Sequence, residues 1–122
     1  MNNMYKASEE IIQYVKSLGD LHDAVILNLL WYAADNRLEI TVDDLYSNYL
    51  GFPEHPGCAQ GLFVFYDVTQ FDINEVYFAE SGLKIYDWIF KEGSIFDCEI
   101  SFSPGGRILI KCAQIEVKQI CT

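Results

Sequence analysis

The feature that most constrains this chain is the tripeptide Pro104-Gly105-Gly106, set between two runs whose apolar residues fall at every second position. Residues 95–103 and 107–113 therefore read as the arms of a β-hairpin, because strands place alternate side chains on one face and Pro-Gly steps favour turns. A three-residue loop predicts Ser103 opposite Arg107, Phe102 opposite Ile108, Ile100 opposite Ile110 and Cys98 opposite Cys112. In that register every inward apolar side chain meets another, which is how one buried face specifies pairing. It also sets two cysteines side by side, where the expectation is a pair of free thiols.

The rest of the chain divides by its period. Ser8 reads as a helix N-cap with Glu9 and Glu10 behind it, and Ile11, Ile12, Val15 and Leu18 recur at helical spacing before Gly19. From Leu21 the period becomes two. Leu27, Leu29, Trp31 and Ala33 are followed by the turn Asp35-Asn36 and by Leu38, Ile40 and Val42. A two-residue turn predicts Trp31 across from Ile40 and Leu29 across from Val42. Residues 62–68 and 83–90 are further strands, 71–80 is ambiguous between a short strand and a turn, and Ile115, Val117 and Ile120 continue the alternation imperfectly. The expected fold is α+β: an N-terminal helix followed by a mainly antiparallel sheet of about six strands, forming either one curved sheet or a two-layer sandwich.

A chain of 122 residues, 51% hydrophobic and 21% charged, fits a single domain spanning residues 1–122. No apolar run approaches the roughly 18 residues of a membrane span, and the start lacks the order of a secretory signal, so a cytoplasmic location is expected. Cysteines 58, 98, 112 and 121 form no C-x-x-C pair, which leaves the common zinc and thioredoxin spacings out. The net charge is −10, and residues 20–99 hold 15 acids against 3 Lys or Arg. Between Arg37 and Lys84 there is no cation and there are eight acids. Such a field repels nucleic-acid backbones and draws basic proteins.

Chemistry-bearing patterns are sparse. His22-Asp23 is the most suggestive polar pair and sketches a metal-dependent or acid–base hydrolase, although the first expectation is that the two residues bond backbone where helix gives way to strand. Asp43, Asp44, His55 and Cys58 show no ligand spacing beside them, so neither a metal nor a cofactor is expected. The stretch from Asp43 to Glu54 differs in kind. Asp43, Asp44 and Glu54 accompany Tyr46, Tyr49 and Phe52 on a long Pro- and Gly-bearing loop. Aromatic anchors beside carboxylates are the ingredients of a protein-binding surface. The same aromatics would serve equally to cap the core.

Leu21-His22-Asp23-Ala24, Leu38-Glu39-Ile40-Thr41-Val42-Asp43, Phe65-Tyr66-Asp67-Val68 and Arg107-Ile108-Leu109-Ile110-Lys111-Cys112 together resemble a group of small bacterial domains, some of them proposed to be immunity proteins of polymorphic toxin systems. The resemblance implies a compact α+β domain without enzymatic activity that binds a cognate toxin or another protein. It carries no functional residues with it. The expected partner is a basic protein, met through Asp43, Asp44, Tyr46, Tyr49, Phe52 and Glu54.

Overall fold

The computed structural model describes residues 2–5, 8–45, 60–75, 83–91, 96–103 and 105–120. A first strand β1 (Asn2–Tyr5) precedes helix α1 (Ser8–Ser17), and a 3-10 turn at Gly19–Leu21 leads into β2 (Val25–Tyr32). The others are β3 (Arg37–Val42), β4 (Gly61–Tyr66), β5 (Gln70–Asn74), β6 (Leu83–Lys91), β7 (Phe96–Ser103), β8 (Arg107–Cys112) and β9 (Gln114–Gln119). The α+β class is as expected. The strand count is not: among the described residues nine strands pair antiparallel in the order β1-β9-β4-β3-β2-β6-β7-β8-β5, rather than about six.

Two of the additional strands, β5 and β9, arise from one device. Gly61–Tyr66 pairs with Gln114–Gln119, and Gln70–Asn74 pairs with Arg107–Lys111. These are two halves of one long antiparallel pair, bent where Asp67–Thr69 meets Ala113. The bend is bonded across, with Ala113 N donating to Tyr66 O (3.0 Å) and Thr69 N to Lys111 O (2.8 Å). Val68 N donates to Asn36 O (2.9 Å), which ties the bend to the β2–β3 turn, and Asp67 takes a left-handed φ of 53°. Bends of this kind let one strand serve two packed layers.

Because β4 and β9 lie toward one end of the strand order and β8 and β5 at the other, the bend brings the ends together and folds the sheet over its own core. Hydrogen bonding nevertheless leaves it unclosed. The Phe63–Trp88 contact measures the curvature. Their strands are three spacings apart, roughly 14 Å in a flat sheet, yet the ring centroids are 4.7 Å apart. One cluster draws on Leu38, Ile40, Phe63, Phe65 and Ile115 from one half, and on Ile85, Trp88, Ile100, Ile108 and Ile110 from the other. Ile11, Val15 and Leu18 of the N-terminal helical segment complete it.

Both hairpins differ from expectation by the same two residues. Trp31 pairs with Leu38 and Leu29 with Ile40, because the turn has four residues: a 3-10 turn at Ala33–Asp35 and a left-handed Asn36 (φ 49°). In the later hairpin Ile100 pairs with Ile108, Cys98 with Ile110 and Phe96 with Cys112. Its loop is lengthened by a bond from Phe102 N to Gly106 O (3.0 Å). Cys98 and Cys112 are therefore diagonal rather than opposed, too far for a bridge without backbone movement. Both are free and buried, and burial pushes the Cys112 thiol up to about 12.

The connection into β2 is strained. Asp20, Leu21 and Asp23 have φ of 56°, 58° and 75°, a region that costs a side-chain-bearing residue about 1–2 kcal/mol. Complete burial of Leu21, worth roughly 1.5–3 kcal/mol, offsets part of this.

Candidate functional site

Two bulges shape the surface of β2 and β6. Pairing of β2 with β3 slips at Leu27, and pairing of β6 with β7 slips at Tyr86. A bulge inserts one unpaired residue and re-aims its side chain. Both bulged residues are large and turned to solvent, Leu27 at 48% exposure and Tyr86 at 60%. Leu30, Trp31 and Tyr32 of β2 are exposed as well, with Ile89 of β6 and Ile73 of β5. The Tyr32 ring carries the Arg37 guanidinium at 4.2 Å, and Arg37 also bonds Glu39 (3.0 Å) and Asp35 (3.3 Å). Trp31 packs against Phe71 with centroids 5.7 Å apart, beside a hollow of about 270 Å³.

The polar pair singled out from the sequence sits next to this face. His22 Nδ1 lies 2.8 Å from Tyr86 O, and since a carbonyl only accepts, the ring N–H donates there. The His22 ring also meets the Tyr86 ring edge-on at 5.5 Å, and Nε2 is 3.7 Å from Asp23 Oδ1. Asp23 N donates to Ile85 O (2.9 Å). These links fasten the turn to β6 and hold the Tyr86 bulge in place, a positioning role that needs no enclosed cavity. Among the described residues, no three His, Cys, Asp or Glu side chains come close enough to hold a metal ion.

The acidic loop is seen only at its start. Asp43 clamps the beginning of β2: its Oδ1 accepts from Val25 N (2.8 Å) and its own N donates to Val25 O (2.9 Å). Asp44 is half-buried, and Leu45 packs over Gly61 so closely that any Cβ there would collide with it. Tyr46, Tyr49, Phe52 and Glu54 lie outside the described residues.

Charge is distributed unevenly. Asp35 and Glu39 pair with Arg37, Glu99 with Arg107 (3.8 Å), Asp97 with Lys111 (3.9 Å) and Glu116 with Lys118 (3.7 Å). Tyr66 OH donates to Glu116 Oε1 (2.7 Å), and that bond to a carboxylate, with burial, holds the phenol above its usual range. Asp20, Asp43, Asp67, Asp72, Glu75 and Asp87 form no ion pair among the described residues. The acids without an ion pair thus fall mostly in turns and at strand ends, with Asp72 inside β5 and Asp87 inside β6.

Sequence reasoning missed the exposed face. It rightly set Leu29 and Trp31 on the inward side, opposite the buried Ile40 and Leu38, but left the other side of β2 mixed, where Leu30 and Tyr32 stand exposed. The readable signal was Leu30 and Tyr32 alternating with Leu29 and Trp31, a strand apolar on both sides with only one core to meet. No family model matches the chain, and no curated protein matches it either.

Proposed function

We propose that this chain is a non-enzymatic binding domain that engages a basic protein partner. One observation carries the reading: large apolar side chains stand exposed on β2 and β6 although the core beneath is complete without them. Exposed apolar groups, two of them at bulges, with carboxylates that form no ion pair among the described residues, combine anchoring surface with a field that steers a cationic partner. The resemblance of the sequence to toxin-neutralising domains supports a toxin as that partner, and the loop from Asp43 to Glu54 remains part of the proposed surface. A hydrolase centred on His22 and Asp23 draws no comparable support, since both side chains are substantially exposed and His22 is committed to Tyr86 O.

The test is capture from the native host with the wild-type chain beside a Leu30→Ala, Tyr32→Ala variant, both positions lying on the outward face of β2. A basic protein retained by the first and lost by the second, at unchanged stability, is the expected outcome. Equal retention by both, or an acidic partner, overturns the reading.

A further inference from the structure

The joint between α1 and β2 is unlike the other connections among the described residues. Gly19, Asp20 and Leu21 are left-handed in succession, with φ of 64°, 56° and 58°, and Asp23 follows at 75°. Such a run is at ease only in glycine. The joint is held by Asp23 N to Ile85 O, by His22 Nδ1 to Tyr86 O and by the buried Leu21. Along the same flank β6 pairs with β2 only at Leu83 and Lys84. Past Ile85 the neighbour is α1, and Ile12 and Val15 face Trp88, Ile89 and Phe90 across a cleft of about 420 Å³. Asp20 from the joint and Asp87 from β6 both line that cleft, together with Lys16 of α1.

We propose that α1 is a hinged cover over the β6 flank, seated by burial of Ile11, Val15 and Leu18 and loosened by the strained joint and the facing carboxylates of Asp20 and Asp87. Release uncovers Trp88 and the strand edge from Tyr86 to Lys91. Proton uptake tightens the cover. Burial first, then Asp87, raises the Asp20 carboxyl above its ordinary value in the seated state, against the opposing effect of Lys16. The seated form is therefore favoured fully below the ordinary value and loses that advantage as pH rises through the raised one. Neutral pH is where the cover is loosest. The device operates whatever the partner of the exposed β2 face is, so it stands or falls separately from the binding reading.

Amide exchange on the whole chain tests it, comparing wild type with Asp87→Asn and Asp20→Asn, the latter keeping a residue that tolerates left-handed backbone. At pH 7 the α1 amides should exchange through an opening that leaves β7 and β8 protected. Either substitution should slow that exchange about two- to fivefold, the range of an exposed charge pair, and the slowing by Asp20→Asn should shrink as acid protonates Asp20. Exchange of α1 at the same rate as β7 and β8, or no slowing in both variants, overturns the proposal.

Discussion

The β2–β3 and β7–β8 hairpins are built from the same alternation and end differently. In β7 the inward residues Phe96, Cys98, Ile100 and Phe102 are buried, and the outward positions Asp97 and Glu99 face Lys111 and Leu109 across the pair. In β3 the inward residues are buried just as fully, yet in β2 five of the eight residues are exposed and large apolar side chains stand on both sides. One hairpin spends its outward positions on paired charge, the other on Leu30 and Tyr32. Folding requires only the first arrangement, because outward apolar groups add no core. The difference separates what stabilises this molecule from what is available for recognition.

The largest test of that separation is truncation of an inward residue. Ile100→Ala removes a fully buried side chain at the centre of the core and should cost about 2–5 kcal/mol in denaturant unfolding. Leu30→Ala on the exposed face should cost less than about 1 kcal/mol. Similar losses at the two sites would erase the distinction.

Next in size is the titration of the two buried thiols. Desolvation raises Cys98, with Cys112 adding to it, and desolvation raises Cys112 from 9.0 to about 12. A folded-state pKa above the unfolded one stabilises fully below the unfolded value and is lost as pH rises toward the folded value. Stability should therefore fall above pH 9 by up to about 1.4 kcal/mol per pH unit for each thiol. A Cys98→Ala, Cys112→Ala protein followed by the same unfolding measurement should lose this alkaline slope, and a persistent slope would place its origin elsewhere.

A smaller effect probes the paired outward face of β4 and β9. Tyr66→Phe deletes the hydrogen bond to Glu116 and should cost about 1–2 kcal/mol, since the acceptor is a partly buried carboxylate that keeps only Lys118 among the described residues. An unchanged unfolding midpoint would mean that water replaces the hydroxyl at no cost.

How much of this was legible in the sequence follows from what each signal encodes. Alternation reports faces, and a slip of two residues preserves them, so Leu38, Ile40, Ile100 and Ile110 were correctly placed inside even though both registers were wrong. Register depends on turn length, and neither the left-handed Asn36 nor the Phe102–Gly106 bond is visible in a dipeptide pattern. The strands β5 and β9 were glimpsed but not separated, as an ambiguous 71–80 and an imperfect alternation after Ile115, because Asp67–Thr69 and Ala113 interrupt the period just where the chain changes layer. Of the candidate site, His22 and Asp23 were recognised as a polar pair beside a strand. Leu27 and Tyr86 were not recognised at all, because a bulge is set by tertiary pairing rather than by local composition.

The smallest expected effect is the sharpest for the comparison. Leu30 stands directly opposite Glu39 on the outward face, where the other hairpin sets Asp97 opposite Lys111. Leu30→Lys converts the first arrangement into the second. The new cation would meet a carboxylate already bonded to Arg37, so the gain is that of an exposed pair, roughly 0–0.5 kcal/mol. Against it stands the modest apolar burial that a half-exposed leucine gives up. The two nearly cancel, and the unfolding midpoint should hardly move. Partner capture should nevertheless fall, because the substitution replaces an apolar anchor and adds positive charge facing a basic protein. A loss of stability above about 1.5 kcal/mol, well beyond what surface substitutions usually cost, would show that Leu30 belongs to the packing of the fold. The exposed face of β2 would then have a structural explanation.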